Sequence, residues 1–374
     1  MSRHGAKTMK SAVWVASLCV AGLLVGAAGG QEVGAIIAWG SNIDGQCTVP
    51  EPNAGFVAMA AGGWHNLGLR ADGSIVAWGN NDDGQCDVPT PNADFVAVAA
   101  SRYHSLGLKA NGSILAWGLN TNGQCNVPPP NANFVAVAAS SPDEWTGESL
   151  GLKADGSIVG WGVWAGGCGS VPPGNQGCIA IAAGQCHGLG LKADGSLLPW
   201  GCATYGRCTI PEPNAGFVAI AAGYFHDLAL RADGSLAAWG TSYQGPCNVP
   251  EPNADFVSMA GGGLHSLGIK TGGTVVAWGW NAYGQCNVPA PNTAFVAVAG
   301  GEAHSLGLKA YYGDLNCDGA VDFADINPFV LLLTDAAMWQ AAYPRCHVLN
   351  GDVNGSGSVG FDDINPFVAL LTGG

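Results

Sequence analysis

A tryptophan–glycine pair recurs at Trp39, Trp78, Trp117, Trp161, Trp200, Trp239 and Trp278, every 39 residues except for one step of 44. A second marker, histidine followed by Ser-Leu-Gly-Leu-Lys or a near variant, starts at His65, His104, His187, His226, His265 and His304, with Glu148 in the remaining unit. A chain repeating at this interval is built of equal supersecondary units, each too small to bury a core alone, which stack side by side.

One unit reads FVAVAASRYHSLGLKANGSILAWGLNTNGQCNVPPPNA, residues 95–132. FVAVAA, HSLGLK and SILAWG are strand-like runs, and Asn111-Gly112 marks a two-residue hairpin turn. GQCNVP is expected as a short outer strand. Four short strands per unit make a propeller blade. The 59 glycines and a charged fraction of 11% fit short strands and tight turns. AIIAWG (35–40) has no preceding hairpin partner, and the last unit stops after HSLGLKA (304–310). The two fragments complete each other, which predicts an all-β seven-bladed propeller over 31–310, closed by pairing of its N- and C-terminal strands and so left without an exposed edge.

Residues 1–30 have a basic start, an apolar run and small residues near Gly30-Gln31, the layout of a secretory signal peptide. Loss of Arg3, Lys7 and Lys10 takes the formal charge from −14 to −17, because every Asp and Glu lies later in the chain. Such an acidic chain is unsuited to nucleic acid. The expected location is secreted or at the cell surface, where disulfides are permitted.

The histidine occupies one place in six units, so it reads as framework, an imidazole bonded to backbone at the start of a strand. The repeated Trp and Phe residues read as inter-blade core. Cys47, Cys86, Cys125, Cys168, Cys208, Cys247 and Cys286 fall one per unit on the expected outer strand, too far apart to bridge, and read as free thiols. Cys186 lies near Cys202 across a hairpin and forms a candidate disulfide; Cys168–Cys178 is a weaker one. Arg70, Lys109, Lys153, Lys192, Arg231, Lys270 and Lys309 precede the hairpin turns and read as a solvated rim.

The units differ in two loop sets, before each histidine and after each Trp-Gly, which alternating strand direction places on one face. That face collects Trp64, Tyr103, Trp145, Trp164, Tyr205, Tyr224, Phe225, Tyr243, Trp280 and Tyr283. Tyr and Trp offer large contact area with a polar handle. With Asp82, Asp83, Asp143, Glu144 and Arg102 around them, they read as a binding face for a protein or a glycan; the plain alternative is that the rings plug the propeller mouth.

Residues 311–374 hold two copies of a twelve-residue oxygen-rich loop followed by INPFV. The first supplies Asp314, Asn316, Asp318, Ala320 (carbonyl), Asp322 and Asp325. The second supplies Asp352, Asn354, Ser356, Ser358 (carbonyl) and Asp363. Alternating hard oxygen donors with glycine at the sixth position make a calcium loop. A small α-helical tandem EF-hand-like module with two Ca²⁺ sites is therefore expected, the first stronger because it has more carboxylates. Cys317 and Cys346 form a second candidate disulfide.

The pattern H-S-L-x-L followed by W-G-x-N-x-x-G-Q resembles the regulator-of-chromosome-condensation repeat. Its G-Q-x-x-V-P ending is similar to that of secreted seven-bladed β-lactamase inhibitors of that superfamily. The C-terminal module resembles a dockerin, which implies a cohesin-like partner, although Phe323-Ala324 and Phe361-Asp362 stand where dockerins often carry Ser or Thr. The resulting expectation is an exported, monomeric, non-enzymatic binding or scaffold protein without a catalytic site. A carbohydrate-active enzyme, or an inhibitor of a secreted enzyme, is the alternative.

Overall fold

The computed structural model describes residues 34–143, 146–163, 171–201, 204–310, 313–316, 321, 323–343, 348–351, 353 and 359–372. The expected signal peptide lies outside them. In blade 1 the antiparallel strands are Phe56–Ala61, His65–Arg70 and Ile75–Gly79. Blades 2 to 6 repeat this arrangement over 95–118, 134–163, 178–201, 217–240 and 256–279. Blade 7 draws on both ends of the repeat region: Phe295–Gly300 pairs with His304–Ala310, which pairs with Gly34–Gly40 from Gly34 opposite Ala310 to Gly40 opposite His304.

Five blades pack a Phe over the glycine of the adjoining strand; blade 5 has Ala229 at that place. A Cβ on Gly107 would lie 2.4 Å from the Phe95 ring, so a larger residue there requires the ring to shift. Phe95 and Trp117 are buried with ring centroids 6.4 Å apart, and burying such a side chain contributes roughly 1.5–3 kcal/mol. Blade 4 has Cys178, which is buried, in the Phe position; Cys168, its weaker candidate bridge partner, lies outside the described residues.

The expected fourth strand is absent among the described residues. In the equivalent GQCDVP (84–89) the backbone donors are satisfied locally: Cys86 N–H bonds to Asn81 Oδ1 at 2.8 Å and Asp87 N–H to the Gly84 carbonyl at 3.0 Å. The described repeat cysteines, Cys47, Cys86, Cys125, Cys208, Cys247 and Cys286, therefore sit in turns, where the Cys86 thiol donates to the Asn80 carbonyl at 3.2 Å. The outer edge is covered instead by one amide side chain per blade. Asn92 accepts from Ile75 N–H and donates to the Ile75 carbonyl, both at 2.8 Å, pairing like a single residue of a fourth strand. Asn53, Asn131, Asn175, Asn214, Asn253 and Asn292 repeat this on Ile36, Ile114, Ile158, Leu197, Leu236 and Val275.

The turn-face cations are more than a solvated rim. Lys109 Nζ lies 3.7 Å from the Phe95 ring centroid and donates to the Pro91 carbonyl at 3.1 Å. Arg70, Lys153, Arg231, Lys270 and Lys309 cap Phe56, Phe134, Phe217, Phe256 and Phe295 in the same way. A cation over a ring face is held by the ring quadrupole. Lys192 belongs to the blade in which Cys178 replaces Phe.

The histidines bond across blades through Nε2, and the expected backbone bond is made by His187, whose Nδ1 meets the Gln185 carbonyl at 3.2 Å. His65 Nε2 meets Ser105 Oγ at 2.9 Å, while that hydroxyl gives its proton to the Gln85 carbonyl at 2.9 Å. Oγ must then accept, which fixes a proton on Nε2. The same relay joins His104 to Ser149, His226 to Ser266 and His265 to Ser305. His187 meets Asp227, and His304 meets Asn66. Burial holds His65, His104, His226 and His304 down to about 3 and His265 to about 4, well below the usual imidazole range.

Near the C-terminus lie α1 (Ile326–Thr334), α2 (Ala336–Ala342) and α3 (Ile364–Thr372). The duplicated phenylalanines of α1 and α3, Phe329 and Phe367, stack at 4.3 Å beside fully buried Trp339, whose indole N–H donates to the Leu315 carbonyl at 3.2 Å. Cys202, Cys317 and Cys346 lie outside the described residues, and with them both candidate disulfides that use them.

Candidate functional site

Backbone hydrogen bonds hold the two variable loop sets together on one face. Asn80, Leu119, Thr241 and Trp280 N–H groups, just after Trp-Gly, donate at 2.9 Å to the carbonyls of Trp64, Tyr103, Phe225 and Leu264, just before histidine. The loops before histidine also bond to one another between blades, Gly63 N–H to the Ser101 carbonyl at 3.0 Å and Glu302 N–H to the Gly63 carbonyl at 3.3 Å. These bonds tie the incoming and outgoing loops of blades 1, 2, 5 and 6 to each other.

At its centre is a cavity of about 70 Å³, lined by a small residue from the first strand of every blade, from Ala61 to Gly300, and by Arg102 and Tyr224. Arg102 lies 4.2 Å over the Trp64 ring and 5.4 Å from that of Tyr103, and its Nε is 3.4 Å from the Glu302 carboxylate. The Tyr224 hydroxyl is buried, and its phenol is pushed up by burial and by Glu302. Burial raises Glu302, opposed by Arg102. Trp64, Tyr103 and Tyr224 are thus half-buried parts of a plug that draws on blades 1, 2, 5 and 7.

The exposed aromatic residues lie further out. Tyr205, Tyr243 and Tyr283 are 62%, 66% and 49% exposed, and Ile43, which was not anticipated, is 80% exposed. They occupy the outgoing loops of blades 4, 5, 6 and 7, consecutive around the ring. Phe225 supports Tyr205 edge-on at 6.2 Å, and Trp280 supports Tyr283 at 5.3 Å. Trp145 and Trp164 lie outside the described residues.

Loop shape follows the residue after the loop glycine. Where this is glutamine, its Oε1 accepts a backbone N–H two residues back, as from Asp44, Asp83, Asn122 and Tyr283. Arg207 and Pro246 cannot do this, and in their loops Tyr205 and Gln244 adopt left-handed backbone at φ 64 and 66. A non-glycine residue held there costs free energy and clusters at functional positions.

The regulator of chromosome condensation (RCC1) repeat model matches residues 56–85, 95–124 and 256–285. The propeller carries RCC1 repeats. No curated protein matches the chain by sequence. Among solved structures, Prp20p of Saccharomyces cerevisiae, whose structure was described with its binding to Gsp1p and histones, is similar at TM-score 0.62 and 20% identity, over 75% of this chain and 92% of that one. Yeast RCC1 (Prp20) bound by Kap60 is similar at 0.63 and 19%, over 83% and 96%. Human WBSCR16 is similar at 0.59 and 17%, over 74% and 99%. At these identities the likeness shows the fold of the RCC1-repeat propeller.

Of the eleven expected calcium ligands, Asp314, Asn316, Asp325 and Asp363 are described, whereas Asp318, Ala320, Asp322, Asp352, Asn354, Ser356 and Ser358 lie outside the described residues. Among the described residues no group of three His, Cys, Asp or Glu converges on one point. Asp314, Asp325 and Asp363 are buried, and Asp325 Oδ1 accepts from the N–H groups of Leu315 and Asn316 at 2.7 and 3.0 Å. Residues 311–374 contain a single Arg or Lys, Arg345. Asp, Asn and backbone oxygens are the donor type that a hard divalent cation takes.

Proposed function

We propose that the RCC1-repeat propeller is a non-enzymatic binding module, its ring closed through the first and last strands, which recognises a protein through Tyr205, Tyr243, Tyr283 and Ile43. The carrying observation is that four consecutive loops on this face hold these large apolar tips out in water, where burial by a partner would be favourable. Cavities of about 70 Å³ at the mouth and 190 Å³ on the opposite face fall below the roughly 300 Å³ of a small-molecule pocket. His65, His104, His226, His265 and His304 serve as neutral struts, and the His187–Asp227 pair is 1% exposed, beyond the reach of a substrate. Protein binding by Prp20p, described with Gsp1p and histones, agrees with this reading.

The C-terminal module would hold Ca²⁺ on Asp314, Asn316, Asp325 and Asp363 and attach the chain to a cohesin-like surface partner, with export by residues 1–30. The binding reading is tested by pull-down and glycan array with the full chain and a Tyr205→Ala/Tyr243→Ala/Tyr283→Ala variant. Loss of protein capture with retained thermal stability is expected. Unchanged capture overturns the reading, and tyrosine-dependent glycan retention would replace the protein by a glycan.

A further inference from the structure

The two faces of the propeller differ in charge. Among the described residues, Arg70, Lys109, Lys153, Lys192, Arg231, Lys270 and Lys309 all stand on the strands that run into the hairpin turns. The loop face has only Arg102 and Arg207. Arg102 is paired with Glu302. Arg207 is 4% exposed and donates to the Gln185 carbonyl. Neither offers a free positive charge to a visitor.

The exposed charges beside the apolar arc are acidic. The arc ends at Ile43, whose neighbour Asp44 meets Asn80 Nδ2 at 3.5 Å; the same amide donates to Asp82 Oδ2 at 2.9 Å. The blade 7 loop therefore runs directly into the blade 1 loop, which exposes Asp82 and Asp87. Asn81 donates to Asp87 Oδ1 at 2.9 Å and orients it. Each carboxylate has one oxygen held by an amide, and a carboxylate has about four lone-pair sites, so capacity remains for a cation.

Resting on the reading of the tyrosine face as a protein-binding surface, we propose that its partner is a cationic amphipathic protein segment. Its apolar side chains cover Tyr205, Tyr243, Tyr283 and Ile43, and its Lys or Arg residues meet Asp82 and Asp87. The charge of the whole chain, −14, steers such a partner toward the molecule, and the two cations of this face are engaged, Arg102 with Glu302 and Arg207 with the Gln185 carbonyl.

The test measures fluorescence anisotropy of two labelled amphipathic peptides of about 18 residues, one Leu/Lys and one Leu/Glu, with the full chain. The Leu/Lys peptide binds, more weakly as salt rises, and the Leu/Glu peptide does not. Binding falls at least about tenfold in the triple tyrosine variant and severalfold in Asp82→Asn/Asp87→Asn, which also flattens the salt dependence. Tyr243→Lys, repelling a cation at one exposed tip, gives the same loss should the triple variant fail to fold. Absence of Leu/Lys binding, or equal binding of Leu/Glu, overturns the proposal. Loss in the tyrosine variants with full retention in the aspartate variant overturns the cationic partner alone. Retention in the tyrosine variants overturns the surface itself.

Discussion

His304 donates from Nε2 to Asn66 Oδ1 at 2.7 Å, joining residues 238 positions apart, while Asn66 Nδ2 donates to the Gln46 carbonyl at 2.8 Å. One fully buried asparagine thus ties the last histidine of the repeat series to the first blade.

Asn66→Leu should leave the His304 N–H buried without an acceptor and destabilise the propeller by about 1–3 kcal/mol. Urea unfolding measures this. A change of only a few tenths would mean that the junction between blades 7 and 1 carries no strain-bearing load.

Acid should weaken the ring well before ordinary carboxylates titrate. Five buried histidines are held down to about 3 or 4, whereas unfolded imidazoles protonate near 6.5. Between those values the unfolded chain binds more protons, so stability rises with pH across the window and falls as pH drops below about 6.5. Thermal melting from pH 7 to 4.5 should show a steep decline, shallower in His104→Gln.

The turn cysteines should be poor nucleophiles. Burial pushes Cys47, Cys125, Cys247 and Cys286 up to about 11 and Cys86 to about 12. At pH 8 the thiolate population is then about a hundredfold or more below that of a thiol near 9. A disulfide reagent should label the native protein far more slowly than the urea-unfolded chain, and equal rates would contradict the buried placement.

Arg102→Leu should strand the Glu302 carboxylate at the channel mouth and cost about 1–3 kcal/mol. Adding Glu302→Leu should recover much of this, because the stranded charge is gone. A double-mutant cycle measures the coupling, and additivity would show that the plug is not held by this pair.

Calorimetric titration with Ca²⁺ should give two sites, the tighter one abolished by Asp325→Ala. The first loop has four carboxylates against two in the second. Equal or reversed affinities would count against the ligand assignment.

What was legible in the sequence follows from periodicity. The 39-residue interval, the split final unit and the duplicated INPFV segment each correspond to a described arrangement, because blade and helix formation depend on patterns within a few dozen residues. The composition of GQCNVP and its equivalent GQCDVP (84–89) is strand-like, and only the folded loop shows the donors of the latter turned inward to Asn81 and Gly84. The Asn92 edge cap works through a contact 17 residues away with no pattern of its own in the strand it covers.

The sequence by itself determined that the loop face would be rich in aromatic residues, because strand alternation assigns every variable loop to one side. It could not separate Trp64 and Tyr103 from Tyr205 and Tyr243. That division was decided in three dimensions, where Arg102 of blade 2 lies over Trp64 of blade 1 and reaches Glu302 of blade 7. Burial depends on what neighbouring blades bring to a side chain, and those neighbours are far away in the chain.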